Sequence, residues 1–336
     1  MSEIKTSLLK YQNFICLIRD FFYKRKVVEV TTPSLLLTPT SDVYIDSISM
    51  EINEDIHQNS KRYLHTSPEI EMKRLILKGS GDIFQISKVF RDNEHGRFNS
   101  NEFTMLEYYR IGFGMHQLID EIEDFLVELG HSKDIVRLSY NDVFNKYSEI
   151  DILNTDFDGL RLIAKSHGLN PDYQWIEDLQ TLLFVHLIEP KIAKIPICII
   201  YDYPKEQAAL AQINGPIAHR FEIYIKGIEI ANGYQELKSS ESYRLRFTDE
   251  LNKREKLNKK ITFINLKASR TLYVIFEFRK ILIKFSLLLM EGLNLENCQK
   301  VKLEYQPLLY LMLLTLWTRL CYQLRSLKQV LVLLER

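Results

Sequence analysis

Residues 64–110, LHTSPEIEMKRLILKGSGDIFQISKVFRDNEHGRFNSNEFTMLEYYR, constrain this chain more than any other stretch. Ser67-Pro68-Glu69 reads as a cap, a first-turn proline and an acidic first turn, so a helix is expected to start there and to end near Gly79. Residues 83–90 have strand composition, Asp92 to Asn101 form a loop almost free of aliphatic side chains, and 103–109 turn apolar and aromatic again. The result is an antiparallel hairpin with Arg91 at its mouth.

A guanidinium at a hairpin mouth, with carboxylates beside it and Arg97 in the loop, suits a polyphosphate, because its rigid fork matches phosphate oxygens two at a time. The plainer alternative is a surface hairpin whose charges are simply solvated.

A second stretch, RFEIYIKGIEIANGYQEL at 220–237, opens with Phe221, Ile223 and Ile225 alternating with Glu222, Tyr224 and Lys226, the pattern of a half-buried strand. Glu229 and Glu236 flank Asn232-Gly233. A turn at that dipeptide would let both carboxylates converge into the oxygen-rich site that a hard cation such as Mg²⁺ bridging phosphates requires. Two glutamates near a turn are also common without any such role.

The rest of the chain reads as scaffold. Residues 3–25 place Leu8, Ile15, Ile18, Phe21 and Phe22 on one helical stripe, and 27–33 form a β-branched strand stopped by Pro33. A loop at 38–46 and a weak strand at 45–52 lead into the polar, mobile segment 53–62. Residues 115–129 form an amphipathic helix, 131–195 contain short helical pieces near 140–146, 157–167 and 178–188, and 195–201 form a buried strand. His167 and His186 read as packed or exposed rather than as ligands.

A chain of 336 residues that is 46% hydrophobic buries a large core as one large domain or a domain with an insertion. Net charge is zero, so no overall basic field draws in nucleic acid. Cys16, Cys198, Cys298 and Cys321 show no CxxC spacing, which fits a reduced, cytoplasmic protein without a zinc site. The N-terminus has no signal layout and no apolar run reaches membrane-spanning length.

Phe90-Arg91, the loop and Phe103 resemble motif 2 of the class II aminoacyl-tRNA synthetases. TSPExxMKRL, FR, GR and EFTMLEYYR narrow the resemblance to the lysyl-tRNA synthetase branch, and within it to the bacterial elongation factor P lysine ligases. The helix, strand and Pro33 at the N-terminus are similar to motif 1, Tyr203-Pro204 with 207–211 to the family's FPxxQxxLA, and 227–237 to GIELANGFHEL. This resemblance implies an α+β fold, an antiparallel sheet flanked by helices, with a helical insertion at about 131–195 and a homodimer formed through motif 1. It implies that ATP activates lysine or β-lysine as an adenylate, with Mg²⁺, before transfer to a lysine of elongation factor P. It assigns Arg91, Glu229 and Glu236 to catalysis, with Glu229 and Glu236 also holding the metal. Ser67, Pro68, Glu69, Tyr109, Ala231, Asn232 and Glu236 are assigned to the amino acid. Arg91, Asp92, Asn93, Glu94, Ser100, Glu229, Ile230 and Arg319 are assigned to ATP. Ala231, where lysyl-tRNA synthetases usually have glycine, favours β-lysine, a methyl-sized difference worth about 1–3 kcal/mol.

The resemblance runs from about residue 10 to 258, so we expect a catalytic domain over 1–258 and a diverged part over 259–336. The glycine pair of motif 3 is missing; Met312 and Leu316 stand in its place, and Arg319 is the best match to its arginine. The tail reads as a reading-frame slip or gene decay, or as a diverged functional segment. Three functional readings follow: the elongation factor P ligase, a truncated lysyl-tRNA synthetase core, and a non-catalytic paralogue. Nothing precedes the motif 1 helix where an oligonucleotide-binding domain would stand, so tRNA is the less expected acceptor.

Overall fold

A computed structural model describes residues 3–55, 58–94, 99–259 and 282–289, all within one compact unit that spans 1–295. In chain order the elements are α1 (Glu3–Lys24), β1 (Val28–Glu29), β2 (Leu35–Leu36), β3 (Ser49–Asp55), β4 (Gln58–Leu64), α2 (Glu69–Leu77), β5 (Ile83–Phe90) and β6 (Glu102–Ile111). They continue as α3 (Met115–Glu128), β7 (Ile135–Ser139), α4 (Tyr140–Ser148), α5 (Phe157–Ser166), α6 (Ile176–Leu183), α7 (Glu189–Ile192) and β8 (Ile197–Pro204). The last are β9 (Ile213–Asn214), β10 (Ile217–Ile225), β11 (Ile228–Gln235), α8 (Ser240–Lys256) and β12 (Leu282–Leu289).

The main sheet has the order β1-β5-β6-β12-β11-β10-β8-β7, with β9 added beside β10. It is antiparallel except for the parallel pairs β1–β5 and β7–β8 at its two edges. The α+β expectation and the central hairpin are both present: Phe90 pairs with Glu102, and the Arg91 amide donates to the Asn101 carbonyl at 2.9 Å. β12 comes from the part expected to be diverged, yet it lies between β6 and β11 in the middle of the sheet.

Alternation along the strands divides the sheet's two faces. On one face, Phe84, Leu106, Tyr108, Phe221 and Ile223 meet α1 and α3. Phe22 stacks on Phe84 at 4.5 Å and meets Tyr108 edge-on at 4.8 Å, so aromatic packing fixes α1 to the strands. α3 buries Leu118, Ile122 and Phe125, and at its start Gln117 accepts from the Gly114 amide at 2.7 Å. A second core fills the segment at 131–195, expected as an insertion, where Tyr140, Phe144 and Phe184 pack together. β8 serves both: Ile197 and Ile199 join the first core, Cys198 and Ile200 the second.

Several expectations need correction. The N-cap of α2 is Pro68, not Ser67; the Ser67 hydroxyl still accepts from the Glu69 amide at 3.1 Å. Of 27–33 only Val28 and Glu29 form a strand, and Val30 continues the contact with β5 by donating its amide to the Phe84 carbonyl at 2.9 Å. The polar segment 53–62, expected to be mobile, contributes its described residues to the β3–β4 hairpin of a separate three-stranded sheet. The insertion begins with a strand, β7, which extends the main sheet. Leu8 leaves the buried stripe of α1 and is 64% exposed.

The largest correction concerns Asn232-Gly233. Both residues lie inside β11, and the chain reverses at Lys226-Gly227, whose φ values of 50° and 78° form the left-handed two-residue turn that suits a hairpin. A Cβ at Gly227 would stand 2.7 Å from that of Ala193, so glycine is required for space as well as conformation.

Candidate active site

Glu229 and Glu236 therefore lie along one strand, an odd number of residues apart, which in regular geometry sends side chains to opposite faces. A β-bulge changes that. Ile223 pairs with Ala231 but Tyr224 pairs with Glu229, so Ile230 is extra, and the alternation restarts with Glu229, Asn232, Tyr234 and Glu236 on the face away from α1 and α3.

That face carries a cavity of about 1030 Å³, whose lining includes Ser67, Glu69, Arg91, Glu222, Glu229 and Tyr234. Its two ends differ in chemistry. One end is acidic and phenolic. Glu107 accepts from Ser67 at 2.6 Å and from Tyr109 at 2.8 Å, while Glu69 lies 3.3 Å from the Tyr234 hydroxyl. Glu236 accepts from Tyr243 at 2.8 Å, and Lys73 bridges Glu69 and Glu236 at 2.5 and 2.7 Å. Ser67, Glu69 and Tyr234 line the cavity, while Lys73, Glu107 and Tyr109 sit beneath them, all but inaccessible to solvent.

The other end combines cations with two acids. Arg91 rests over the Phe103 ring at 5.1 Å; burial lowers its pKa while Glu94, Asp42 and Glu229 raise it. Its buried Nε has no hydrogen-bond partner among the described residues. Glu222 accepts from Tyr203 at 2.6 Å and Tyr224 at 2.5 Å and is ion-paired with Arg220, which donates to the Gln207 carbonyl at 2.7 Å. Burial first, and the charge of Glu222 second, push Glu229 up to about 8. The buried Glu222 and the solvent-open Glu229 place two carboxylates at this end, a donor set suited to a hard cation. No group of three or more His, Cys, Asp or Glu among the described residues forms a cage, so a cation here would also need ligand oxygens.

A rim closes over both ends. On α8, Arg254 donates to the carbonyls of Asp42 and Ile45 at 2.6 and 3.0 Å, Glu250 accepts from Ser41 at 2.5 Å, and Tyr44 donates to Asp178 of α6 at 2.5 Å. Burial pushes Glu250 up to about 7.

One cavity thus has a guanidinium at one end and a cluster of carboxylates and phenols at the other. Residues 2–269 match the family described as tRNA synthetases class II (D, K and N). This chain belongs to the class II tRNA synthetase family. Among its relatives, the protein named elongation factor P--(R)-beta-lysine ligase from Haemophilus influenzae is 40% identical over 260 residues, covering 76% of this chain and 80% of that protein. The proteins of the same name from Vibrio cholerae (40% over 244 residues; 70% and 75%) and Proteus mirabilis (39% over 248; 72% and 76%) are similar to it to the same degree.

Within this synthetase site the expected residues divide into four groups. Ser67, Glu69, Arg91, Glu229, Ile230, Ala231 and Asn232 line the cavity. Pro68, Tyr109 and Glu236 stand behind the lining, Glu236 and Tyr109 tied to the acids of its floor. Asp92, Asn93 and Ser100 lie on the exposed hairpin loop outside the cavity, and Glu94 accepts there from Asn99 at 2.9 Å while its charge acts on Arg91. Arg97 and Arg319 are outside the described residues.

Two expected roles shift. The charge of Glu222 acts on Glu229, while Glu236, expected to be its partner, is held by Lys73 and Tyr243 at the other end. The register of Ala231 against Ile223 turns its methyl toward the helix-packed core, so it is the strand's backbone that lines the cavity there. Lys73, Glu107 and Glu222 were missed. The signal for Glu107 was a carboxylate two residues before Tyr109 in an otherwise apolar strand; for Glu222 it was the alternation of RFEIYI, taken as a solvent face.

Proposed function

We propose that this chain is an ATP-dependent ligase that activates lysine or β-lysine as an adenylate and transfers it to a lysine side chain of elongation factor P. One observation carries the reading: a single cavity on the sheet face sets Arg91 and Glu229 at one end against Ser67 and Glu69 at the other. The family and the names of the relatives support it.

In the first step a carboxylate oxygen of the amino acid attacks the α-phosphorus of ATP, and the bond from that phosphorus to the bridging oxygen of the β-phosphate breaks to release pyrophosphate. Arg91 offers its fork to the α-phosphate, so catalysis is positioning plus neutralisation of charge in a partly dry site. Glu69, supported by the buried Glu236 and Glu107, receives the substrate ammonium. Mg²⁺, where bound, would be held by Glu229 and Glu222 together with phosphate oxygens, and would supply charge neutralisation. In the second step the acceptor amine attacks the acyl carbon, the acyl–phosphate bond breaks, AMP leaves, and the amine gives up a proton.

The exposed apolar side chains Ile4, Leu8 and Tyr23 of α1, with Val28 and Leu37 beyond it, support a homodimer. Cytoplasmic residence agrees with the free thiols of Cys16 and Cys198, and no helix among the described residues is long and apolar enough to cross a membrane. Pyrophosphate exchange with α- or β-lysine, with elongation factor P added afterwards, tests the reading. Lysine-dependent exchange followed by labelling of elongation factor P is expected; folded protein that exchanges with neither isomer would point to the non-catalytic reading.

A further inference from the structure

Lys73 sits on α2 with its side chain 1% exposed, and its ammonium contacts Glu69 at 2.5 Å and Glu236 at 2.7 Å. The Tyr243 hydroxyl is 3.4 Å away, and the amine lies 5.1 Å from the Tyr243 ring. A lysine enclosed to this degree costs several kcal/mol of desolvation unless its partners are well placed, and a helix that needed only an apolar side chain here would carry one, as at the neighbouring Met72 and Ile76.

We infer that Lys73 is a positioning residue that sets the charge of the amino-acid end: it holds Glu69 and Glu236 together so that the pair carries one net negative charge and receives a single substrate ammonium. The inference rests on the ligase reading for the identity of the ligand. Without that cation, two carboxylates that now share one nitrogen would face each other in a buried site, and one would take up a proton. The remaining polar groups around them are Tyr234 from β11, Tyr243 from α8, and Glu107 and Tyr109 from β6. Of these, Glu107 adds further negative charge and the phenols stay neutral, since burial raises all three well above the usual tyrosine range. None of them replaces the cation.

The test is calorimetric binding of lysine and β-lysine to the full-length protein at pH 5.5–8.5 in buffers of different ionisation enthalpy. It compares the wild type with Lys73→Met and Lys73→Arg. Lys73→Met is expected to bind at least about tenfold more weakly at pH 6, with the gap closing as pH rises, and to release about one proton per ligand bound. The wild type and Lys73→Arg should release none. Folded Lys73→Met that binds like the wild type at every pH, in every buffer, would overturn the inference. If Lys73→Met does not fold, Lys73→Met/Glu236→Gln removes both charges together and leaves Glu69 with the same single negative charge: it should bind with an affinity that does not vary with pH and without proton release, and proton release from this double variant would overturn the idea. If the wild type binds neither isomer, the ligase reading fails, and Lys73 is then judged by melting alone. Lys73→Met should gain stability relative to wild type between pH 7 and 5, because its buried carboxyl binds a proton more tightly folded than unfolded; parallel profiles would refute the role.

Discussion

Replacing Arg91 with alanine separates chemistry from folding at the centre of the proposed site. The guanidinium closes β5, rests on Phe103, and keeps a buried Nε with no hydrogen-bond partner among the described residues. A fork gripping two oxygens of the α-phosphate makes two charge-assisted hydrogen bonds of about 1.5–3 kcal/mol each. Losing both removes about 3–6 kcal/mol of transition-state stabilisation, a fall of about 10²- to 10⁴-fold in pyrophosphate exchange. Arg91→Lys keeps the charge but loses one prong, so a fall of about 10- to 150-fold is expected. Stability should hardly move, within about 1 kcal/mol, because burial already disfavours the cation. Exchange kinetics and thermal melting on the same preparations read both effects. Exchange within tenfold of wild type in folded Arg91→Ala would refute the phosphate role, and a melting loss of many degrees would show that Arg91 serves the fold instead.

Three further outcomes follow from other parts of the molecule. Phe22→Ala should cost about 3–5 kcal/mol and lower Tm by roughly 10 °C, because Phe22 is fully buried between Phe84, Tyr108 and Phe125; calorimetry checks it. Glu250 has a folded pKa raised from 4.5 to about 7, so its contribution to stability is fully present below about pH 4.5 and is lost as pH rises toward 7; Glu250→Gln should flatten that slope in chemical denaturation across the same window. Leu8→Glu places a charge on the exposed apolar side of α1 and should convert a dimer to a monomer by light scattering while leaving Tm of the monomer unit nearly unchanged.

Much of this arrangement was legible because short-range patterns survive folding. The β5–β6 hairpin, α1, α3 and the three helical pieces of the insertion each satisfy one period of apolar residues. What escaped was set by long-range pairing. The Asn232-Gly233 dipeptide is a strong local turn signal, but pairing with β10 on one side and β12 on the other holds it extended, and Lys226-Gly227 takes the reversal. Glu222 and Tyr224 alternate as if toward water, yet the insertion and cavity cover them. β7 is short and carries no turn signals of its own, so only the edge of β8 defines it. The acids of the site were found where motif residues flagged them. Lys73, a cation inside an amphipathic helix, looked like any solvated lysine.

The first half of β8 has no solvent side. Ile197 and Ile199 press against α1 and α3, and Cys198 and Ile200 against the residues packed in 140–192, so the segment between residues 131 and 195, though it looks like a removable appendage in the sequence, backs the sheet next to the strand that carries Glu222. Excising it, or grafting in a relative's version without the contacts to Cys198, Ile200 and Tyr224, would leave a catalytic sheet open to water on one flank. Domain trimming for crystallisation or engineering would therefore have to cut elsewhere.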